Sequence, residues 1–155
     1  IVELGDPRLR KEAMVVGRVF ENAVINIISD MEVTLASTDG VGLAAPQIGE
    51  SYQIIIIGSR PTDRYPLAPQ MDSIVMINPS FTATNEHCEK DWEGCLSIPG
   101  IRALVPRYTE IQVDYQDING LRLHVHLSGF IARVFHTPNN LTNTQIKQPN
   151  QKKQQ

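Results

Sequence analysis

Two short segments of this chain consist almost entirely of large apolar residues, and they constrain its fold more than any other feature. The first is QIIIIG at 53–58, and the second is SIVMINP at 73–79. β-Branched runs of this length, closed by glycine or by Asn-Pro, are typical of strands buried on both faces. We therefore predict two buried strands, the second of which ends at Asn-Pro.

The other periodic segments predict one helix and further antiparallel strands. From about Asn22 to Leu35, apolar residues recur every three or four positions, which indicates an amphipathic helix on a core. The segment 60–72 carries three prolines and predicts a surface loop. Residues 101–127 alternate apolar and polar, and DING at 117–120 predicts a hairpin turn. Because strands outnumber helices and do not alternate with them, we predict an α+β fold with mainly antiparallel sheets.

The composition excludes several classes of protein. The 155 residues, 41% of them hydrophobic, suit one compact domain. A net charge of −3 gives no reason to expect nucleic acid or an anionic membrane as a partner. No segment has the apolar length of a membrane span, and secretion lacks the support of a signal segment. Two cysteines, Cys88 and Cys95, are too few for a disulfide framework and favour a reducing compartment.

The segment IARVFHTPNNL at 131–141 begins with helical spacing and then meets a proline and two asparagines. Proline lacks an N–H group and disfavours the α conformation of the residue before it, so we predict that the helix ends at Thr137. From His136 onward the chain is mostly Asn, Gln, Thr, Lys and Pro, which bury too little surface to offset chain entropy. We therefore predict a domain over 1–135 and a disordered tail over 136–155.

The segment GVGLAAPQIG at 40–49 surrounds one polar side chain, Gln47, with small residues. Small residues let another molecule approach the backbone closely, and Gln47 offers an amide donor. A tight packing turn between a helix and a strand explains the same pattern, since glycine clusters are common in turns. The residues alone leave both interpretations open.

The segment EGCLSIPG at 93–100 contains Cys95 between a glycine and a leucine. A lone cysteine is more often a small buried apolar residue than a ligand or a nucleophile. Without further context, all three roles remain open for Cys95.

Together, GVGLAAPQ and EGCLS resemble the first two signature motifs of the peptide deformylases. The segments GDPRLRKEA, MINP, IRALVPR and SGFIARVF extend the resemblance, in the family's order, over about residues 1–135. The resemblance implies antiparallel sheets packed around a C-terminal helix, which here is short. It also implies hydrolysis of the N-formyl group from the initiator methionine of nascent polypeptides, with a divalent metal that is usually Fe²⁺, Zn²⁺ and Ni²⁺ being alternatives.

The resemblance assigns roles to particular residues of this chain. Cys95 is implied to be a metal ligand, and Gln47 and the backbone N–H of Leu96 to hold the formyl oxygen as negative charge develops. Such an oxyanion hole contributes a few kcal/mol when its donors are preorganised. The positions implied to contact the substrate are Val41, Gly42 and Gly94. Glu93 could pair with Arg107 or Arg102 and brace the loop, although separate solvated charges are an equal alternative.

The family's third motif, His-Glu-x-x-His on a helix, is replaced here by HTPNNL. Residues i and i+4 share a helical face, so both histidines of the motif reach one metal, and the glutamate moves protons. In an ungapped alignment, Thr137 and Leu141 replace the histidines and Pro138 replaces the glutamate. With one residue deleted, His136 becomes the first histidine and a metal ligand, but Asn140 replaces the second.

Other histidines are weak substitutes for the missing ligands. His124 and His126 share one side of a predicted strand, where paired histidines are usually surface residues, and His87 lies in a polar loop. We therefore expect hydrolysis to be lost or severely weakened. The alternatives are a non-catalytic protein that binds formyl peptides and a degenerate or frame-shifted product; an unrelated β-rich interaction module is the weakest reading.

The remaining expectations concern partners and compartment. We expect formyl-methionyl nascent peptides as partners, near the ribosome exit, and a bacterial cytoplasm or an organelle matrix as the location. A shortened helix should also leave one face of the sheet uncovered. We therefore predict an exposed apolar patch at Phe130, Val134 and Phe135, with self-association as the alternative to a monomer.

Overall fold

The computed structural model describes residues 1–3, 5–9, 12–63, 65–94 and 102–142. It contains two helices and seven strands. The helices are α1 (Asn22–Ala36) and α2 (Gly129–Leu141). The strands are β1 (Gly42–Ala44), β2 (Ile54–Ser59), β3 (Met71–Ala83), β4 (Cys88–Gly94), β5 (Arg102–Tyr108), β6 (Glu110–Gln116) and β7 (Arg122–Ser128).

The strands form two antiparallel sheets, which confirms the predicted α+β class. A five-stranded sheet has the order β1-β2-β3-β6-β7, and β4 and β5 form a separate hairpin. Helix α1 packs on one face of the large sheet and α2 on the other. Among the described residues, no helix has the length and hydropathy needed to cross a membrane.

Strand β2 lies between the two helices, as its apolar run predicts. All six of its residues are buried. Because side chains alternate along a strand, Ile54 and Ile56 face the α1 side while Ile55 and Ile57 face the α2 side. Helix α1 buries Val24, Ile27, Ile28, Met31 and Leu35 on that first side, which confirms the predicted amphipathic helix.

Strand β3 does not end at Asn-Pro, so that prediction is wrong. The strand continues to Ala83, with a register shift between Ile77 and Ser80 in its pairing with β6. Asn78 adopts φ +51°, and its side chain accepts from Val16 N–H and donates to Val16 C=O, both at 2.8 Å. A β-bulge is one of the places where a sheet accommodates proline, because the ladder is already interrupted there.

The DING turn closes the β6–β7 hairpin as predicted. Asp117 Oδ1 accepts from the backbone N–H of Asn119 at 2.8 Å and of Leu121 at 3.0 Å. Gly120 adopts φ +78°, which favours glycine. These local bonds fix the register that places β7 directly before α2.

Helix α2 continues through Pro138 to Leu141, so the predicted helix end at Thr137 is wrong. The helix also runs across the boundary predicted after Phe135. Asn139 and Thr142 are fully buried, and Thr142 C=O accepts from Ala13 N–H at 3.1 Å. Tertiary packing therefore supports a turn of helix that local propensity disfavours. Of the predicted tail, residues 143–155 lie outside the described part of the chain.

The predicted apolar patch on the sheet is absent from the described residues. Phe135 is fully buried, Val134 is 6% exposed, and Phe130 is half-buried. Phe81 of β3 contacts Phe135 edge to face, with ring centroids 5.5 Å apart. The prediction is wrong because α2 is long enough to cover this face.

Candidate functional site

Strand β1 is an edge strand whose outer side is open to pairing. It pairs with β2 alone in the described sheet order, and Gly58 N–H donates to Val41 C=O at 2.8 Å. Backbone groups of successive residues in an antiparallel strand alternate between the two sides. The N–H and C=O of Gly42 consequently point away from β2, where an extended peptide could pair with them. This placement fits the substrate role implied for Val41 and Gly42.

Gln47 is held rigidly beside this edge. It lies in a short 3₁₀ turn, Ala45–Ile48, that follows β1 directly and ends at Gly49 with φ +85°. The side chain is buried, and its Oε1 accepts from Ala44 N–H at 2.9 Å. This bond orients the amide, which a donor to a developing oxyanion requires. The segment is thus a tight turn and also a positioned amide, and the two interpretations of its sequence are compatible.

Pro138 of α2 packs directly against Gly42. A Cβ atom added at Gly42 would lie 3.2 Å from Pro138 Cγ and 3.4 Å from the carbonyl oxygen of Val134. A residue larger than glycine would therefore crowd the helix at this point. The contact brings the altered third motif against the first motif.

Glu93, two residues before Cys95, is clamped by two arginines. Arg107 donates to both oxygens of its carboxylate, from Nη2 at 3.0 Å and from Nε at 3.1 Å. Arg133 of α2 donates to Glu93 Oε2 at 2.7 Å. The predicted Glu93–Arg107 pair is confirmed, whereas Arg102 instead lies over the ring of Tyr65.

The sequence reasoning missed Arg133. A single arginine inside the apolar run IARVF was the available signal, because a cation on the buried face of a helix needs a partner. Arg133 also donates to the carbonyls of Val105 at 2.7 Å and Glu89 at 2.6 Å. Helix α2 therefore joins both motif-bearing segments, through Pro138 at Gly42 and through Arg133 at Glu93.

His136 lies between α2 and the strands in a largely apolar setting. Its ring contacts Phe81 edge to face at 4.8 Å, and Nε2 is buried without a hydrogen-bond partner. Burial lowers the pKa of His136 from 6.5 to about 4, and the cations of Arg107 and Arg133 add to this effect against the opposing Glu93. The imidazole is therefore neutral near pH 7.

The described residues do not fit a metal centre with three protein ligands. They contain no cluster of three His, Cys, Asp or Glu side chains that could hold a metal ion. His136 is the one residue of a metal-binding type in α2, whose sequence is GFIARVFHTPNNL. An i, i+4 pair of ligands cannot form there, although the neutral Nε2 of His136 is itself chemically suited to a metal.

The other implied residues and substitute histidines are widely placed. Gly94 ends β4 opposite Arg102, and Cys95 and Leu96 lie outside the described residues. His124 and His126 are exposed on one face of β7, opposite Asp114 and Gln112. His87 is exposed 3.5 Å from Glu89.

Comparisons with known proteins agree on one family. The family model described as polypeptide deformylase matches residues 1–145. The chain is 43% identical over 135 residues to peptide deformylase 2 of Nostoc sp., spanning 87% of this chain and 75% of that protein. It is 44% identical over 134 residues to peptide deformylase 1 of Bordetella pertussis, spanning 86% and 76% respectively.

Solved structures show the same likeness. The Met-Ala-Ser-bound class I type b peptide deformylase of Acinetobacter baumannii superposes with a TM-score of 0.88 at 32% identity, over 92% of this chain and 91% of that one. The peptide deformylase of Thermotoga maritima gives 0.80 at 33% identity, over 92% and 90%. The chain therefore belongs to the polypeptide deformylase family.

Proposed function

We propose that this chain binds N-formyl-methionyl peptides along the open edge of β1 and hydrolyses the formamide bond weakly or not at all. The outward backbone groups of Gly42 pair with the peptide, and the clamped amide of Gln47 donates to the formyl oxygen. The Acinetobacter baumannii relative was crystallised with the peptide Met-Ala-Ser, which supports a peptide ligand for this chain as well. The expected partners are the formylated ends of nascent polypeptides in a bacterial cytoplasm or an organelle matrix.

The packing of Pro138 against Gly42 is the observation that carries the loss of hydrolysis. In the ungapped alignment Pro138 stands where the family has its proton-moving glutamate. A pyrrolidine ring neither binds a metal nor moves a proton, and it sits 3.2 Å from the Cβ position of the strand that pairs with substrate. Losing a general acid–base group typically costs a factor of about 10²–10⁴ in rate.

The packing of α2 favours a peptide-binding protein over a degenerate product. Residues 138, 139 and 142 are buried, and Thr142 Oγ1 donates to Asn139 C=O at 2.7 Å. The altered segment thus completes the core rather than leaving it open. Because the apolar face is covered, we expect a monomer.

Binding and turnover measured on one preparation test this function. Calorimetric titration should show that formyl-Met-Ala-Ser binds more tightly than Met-Ala-Ser, and Gln47→Leu should remove most of the difference. A lost hydrogen bond at a buried site corresponds to about 5-fold to 150-fold in affinity. Formate release should not exceed that of buffer. Release abolished by Cys95→Ala and by chelator would overturn the inactive part of the proposal, and equal affinity for the two peptides would overturn the binding part.

A restored motif provides a second test. One variant combines His136→Gln, Thr137→His, Pro138→Glu and Leu141→His, which places two histidines at i and i+4. Elemental analysis should then find stoichiometric divalent metal, and formate release should appear. The matched control omits Pro138→Glu, and it should bind metal with about 10²–10⁴-fold less turnover. Metal binding by the full variant without any formate release would contradict a functional peptide groove.

A further inference from the structure

A pocket of about 430 Å³ opens beside the end of β1 that lies farthest from Gln47. Its walls come from the C-terminal half of α1, the last residues of β2 and the first residues of β3. The lining residues used below are Glu32, Gly40, Val41, Ser59, Arg60 and Asp72. Ile56 and Leu35 also line it, which places the pocket on the α1 face of the sheet. Its size is within the range of small-ligand sites.

The charges around this pocket favour a cation. Glu32 and Asp72 present carboxylates at its exposed rim. The last turn of α1 contains no basic residue, so the partial negative charge of the helix C-terminus is not offset within the helix. Arg60 is the opposing charge, and its Nη2 donates to Thr38 C=O at 3.0 Å.

A buried hydroxyl group on the pocket wall independently indicates a polar ligand. Ser59 is 4% exposed, and its Oγ has no hydrogen-bond partner among the described residues. An unpaired buried hydroxyl is costly, and a ligand that donates to it removes that cost. An ammonium group offers such donors, and it also complements the two carboxylates.

The strand geometry determines which residue of a bound peptide reaches the pocket. With the formyl group at Gln47, a peptide paired along β1 runs from Ala44 toward Gly40. Directly opposed residues of neighbouring strands share a face. A residue opposite Gly42 therefore faces α2, because the Cβ position of Gly42 lies against Pro138. The next residue, opposite Val41, faces α1 and the pocket, and the third residue faces α2 again.

We propose that this pocket is a subsite for a basic side chain at the second residue of the bound formyl peptide. The inference rests on the proposed peptide-binding function and adds a substrate preference to it. An ammonium group from lysine donates to Ser59 Oγ and lies between the carboxylates of Glu32 and Asp72. The subsite thus favours nascent chains that begin with formyl-Met-Lys or formyl-Met-Arg.

A calorimetric peptide series tests the position and the charge together. Formyl-Met-Lys-Ser should bind about tenfold more tightly than formyl-Met-Ala-Ser. Two controls should bind like the alanine peptide: formyl-Met-Nle-Ser, whose norleucine lacks the ammonium group, and formyl-Met-Ala-Lys, whose lysine faces α2. The double variant Glu32→Gln, Asp72→Asn should abolish the gain without changing the affinity for formyl-Met-Ala-Ser.

The outcomes separate this subsite from the groove on which it depends. If formyl-Met-Ala-Ser binds but the lysine peptide gains nothing, the subsite is refuted and the proposed function stands. A gain that norleucine or third-position lysine reproduces, or that survives in the double variant, also refutes it. If none of the formyl peptides binds, both the subsite and the proposed function are refuted.

Discussion

Replacing Arg133 with methionine should strongly destabilise the protein, because this arginine ties α2 to the β4–β5 hairpin. Its guanidinium is largely buried and donates to Glu93 Oε2 at 2.7 Å. It also donates to Val105 C=O at 2.7 Å on β5 and to Glu89 C=O at 2.6 Å on β4. Methionine keeps much of the side-chain volume and removes all three donated bonds.

The magnitude follows from what the change leaves unpaired. Breaking a buried ion pair from one side typically costs about 3–5 kcal/mol. Glu93 retains Arg107, which lowers the electrostatic part, whereas two backbone carbonyls lose their donor. We expect a loss of about 3–4 kcal/mol, which corresponds to about 6–16 °C in melting temperature for a chain of this size. Such a loss is a large fraction of the total stability of most domains.

Urea unfolding followed by circular dichroism measures this loss, and Arg107→Met is the matched control. Arg107 binds the same carboxylate, but its side chain is 17% exposed compared with 10% for Arg133. We expect the control to cost about 1–2 kcal/mol, because Glu93 retains Arg133 and both carbonyls retain their donor. A loss below about 1 kcal/mol for Arg133→Met, or equal losses for the two variants, would refute the reasoning.

Three further predictions concern α2 and its contacts. The lowered pKa of His136 means that the unfolded chain binds a proton below about pH 6.5 that the folded chain refuses until about pH 4. In chelator, stability should therefore fall with pH across that window by up to about 3 kcal/mol more than in His136→Gln. Asn139→Leu should raise the unfolding free energy by about 1–3 kcal/mol, because both polar atoms of the Asn139 side chain are buried without a partner. Gly42→Ala should cost about 1–3 kcal/mol, and less in a Pro138→Ala background, because its new methyl group meets the proline ring.

Each of these predictions has a contradicting outcome in the same unfolding assay. Parallel pH profiles for the protein and His136→Gln would mean that the imidazole is solvated in the folded state. A destabilised Asn139→Leu would mean that the amide has a partner outside the described residues. Equal costs of Gly42→Ala in both backgrounds would place the crowding somewhere other than Pro138.

Local patterns were sufficient where the structure is itself local. The spacing of apolar residues from Asn22 to Leu35 gave α1, and the DING segment gave the β6–β7 turn, whose bonds span four residues or fewer. The continuous run 53–58 gave β2, because only a strand between two layers buries every side chain. The residues of GVGLAAPQ also remain together in space, since β1 and its turn are contiguous in the chain.

The two prolines show where local patterns failed. Pro79 and Pro138 both follow the rule that proline ends an element, and neither does so here. At Pro79 a bulge, braced by Val16 from a distant segment, removes the conflict. At Pro138 the packing of α2 between the sheet and the N-terminal segment supports the last helical turn. A rule based on neighbouring residues contains none of these long-range contacts.

The sequence by itself determined the strands, the first helix, the family and the identity of every side chain that the third motif lacks. Only the tertiary structure decided how far α2 extends, that Arg133 joins it to Glu93, and that Pro138 meets Gly42. The partners in these contacts lie 40 and 96 positions apart in the chain. Periodicity reports how a segment prefers to fold, whereas burial by distant segments supplies the free energy that overrides that preference.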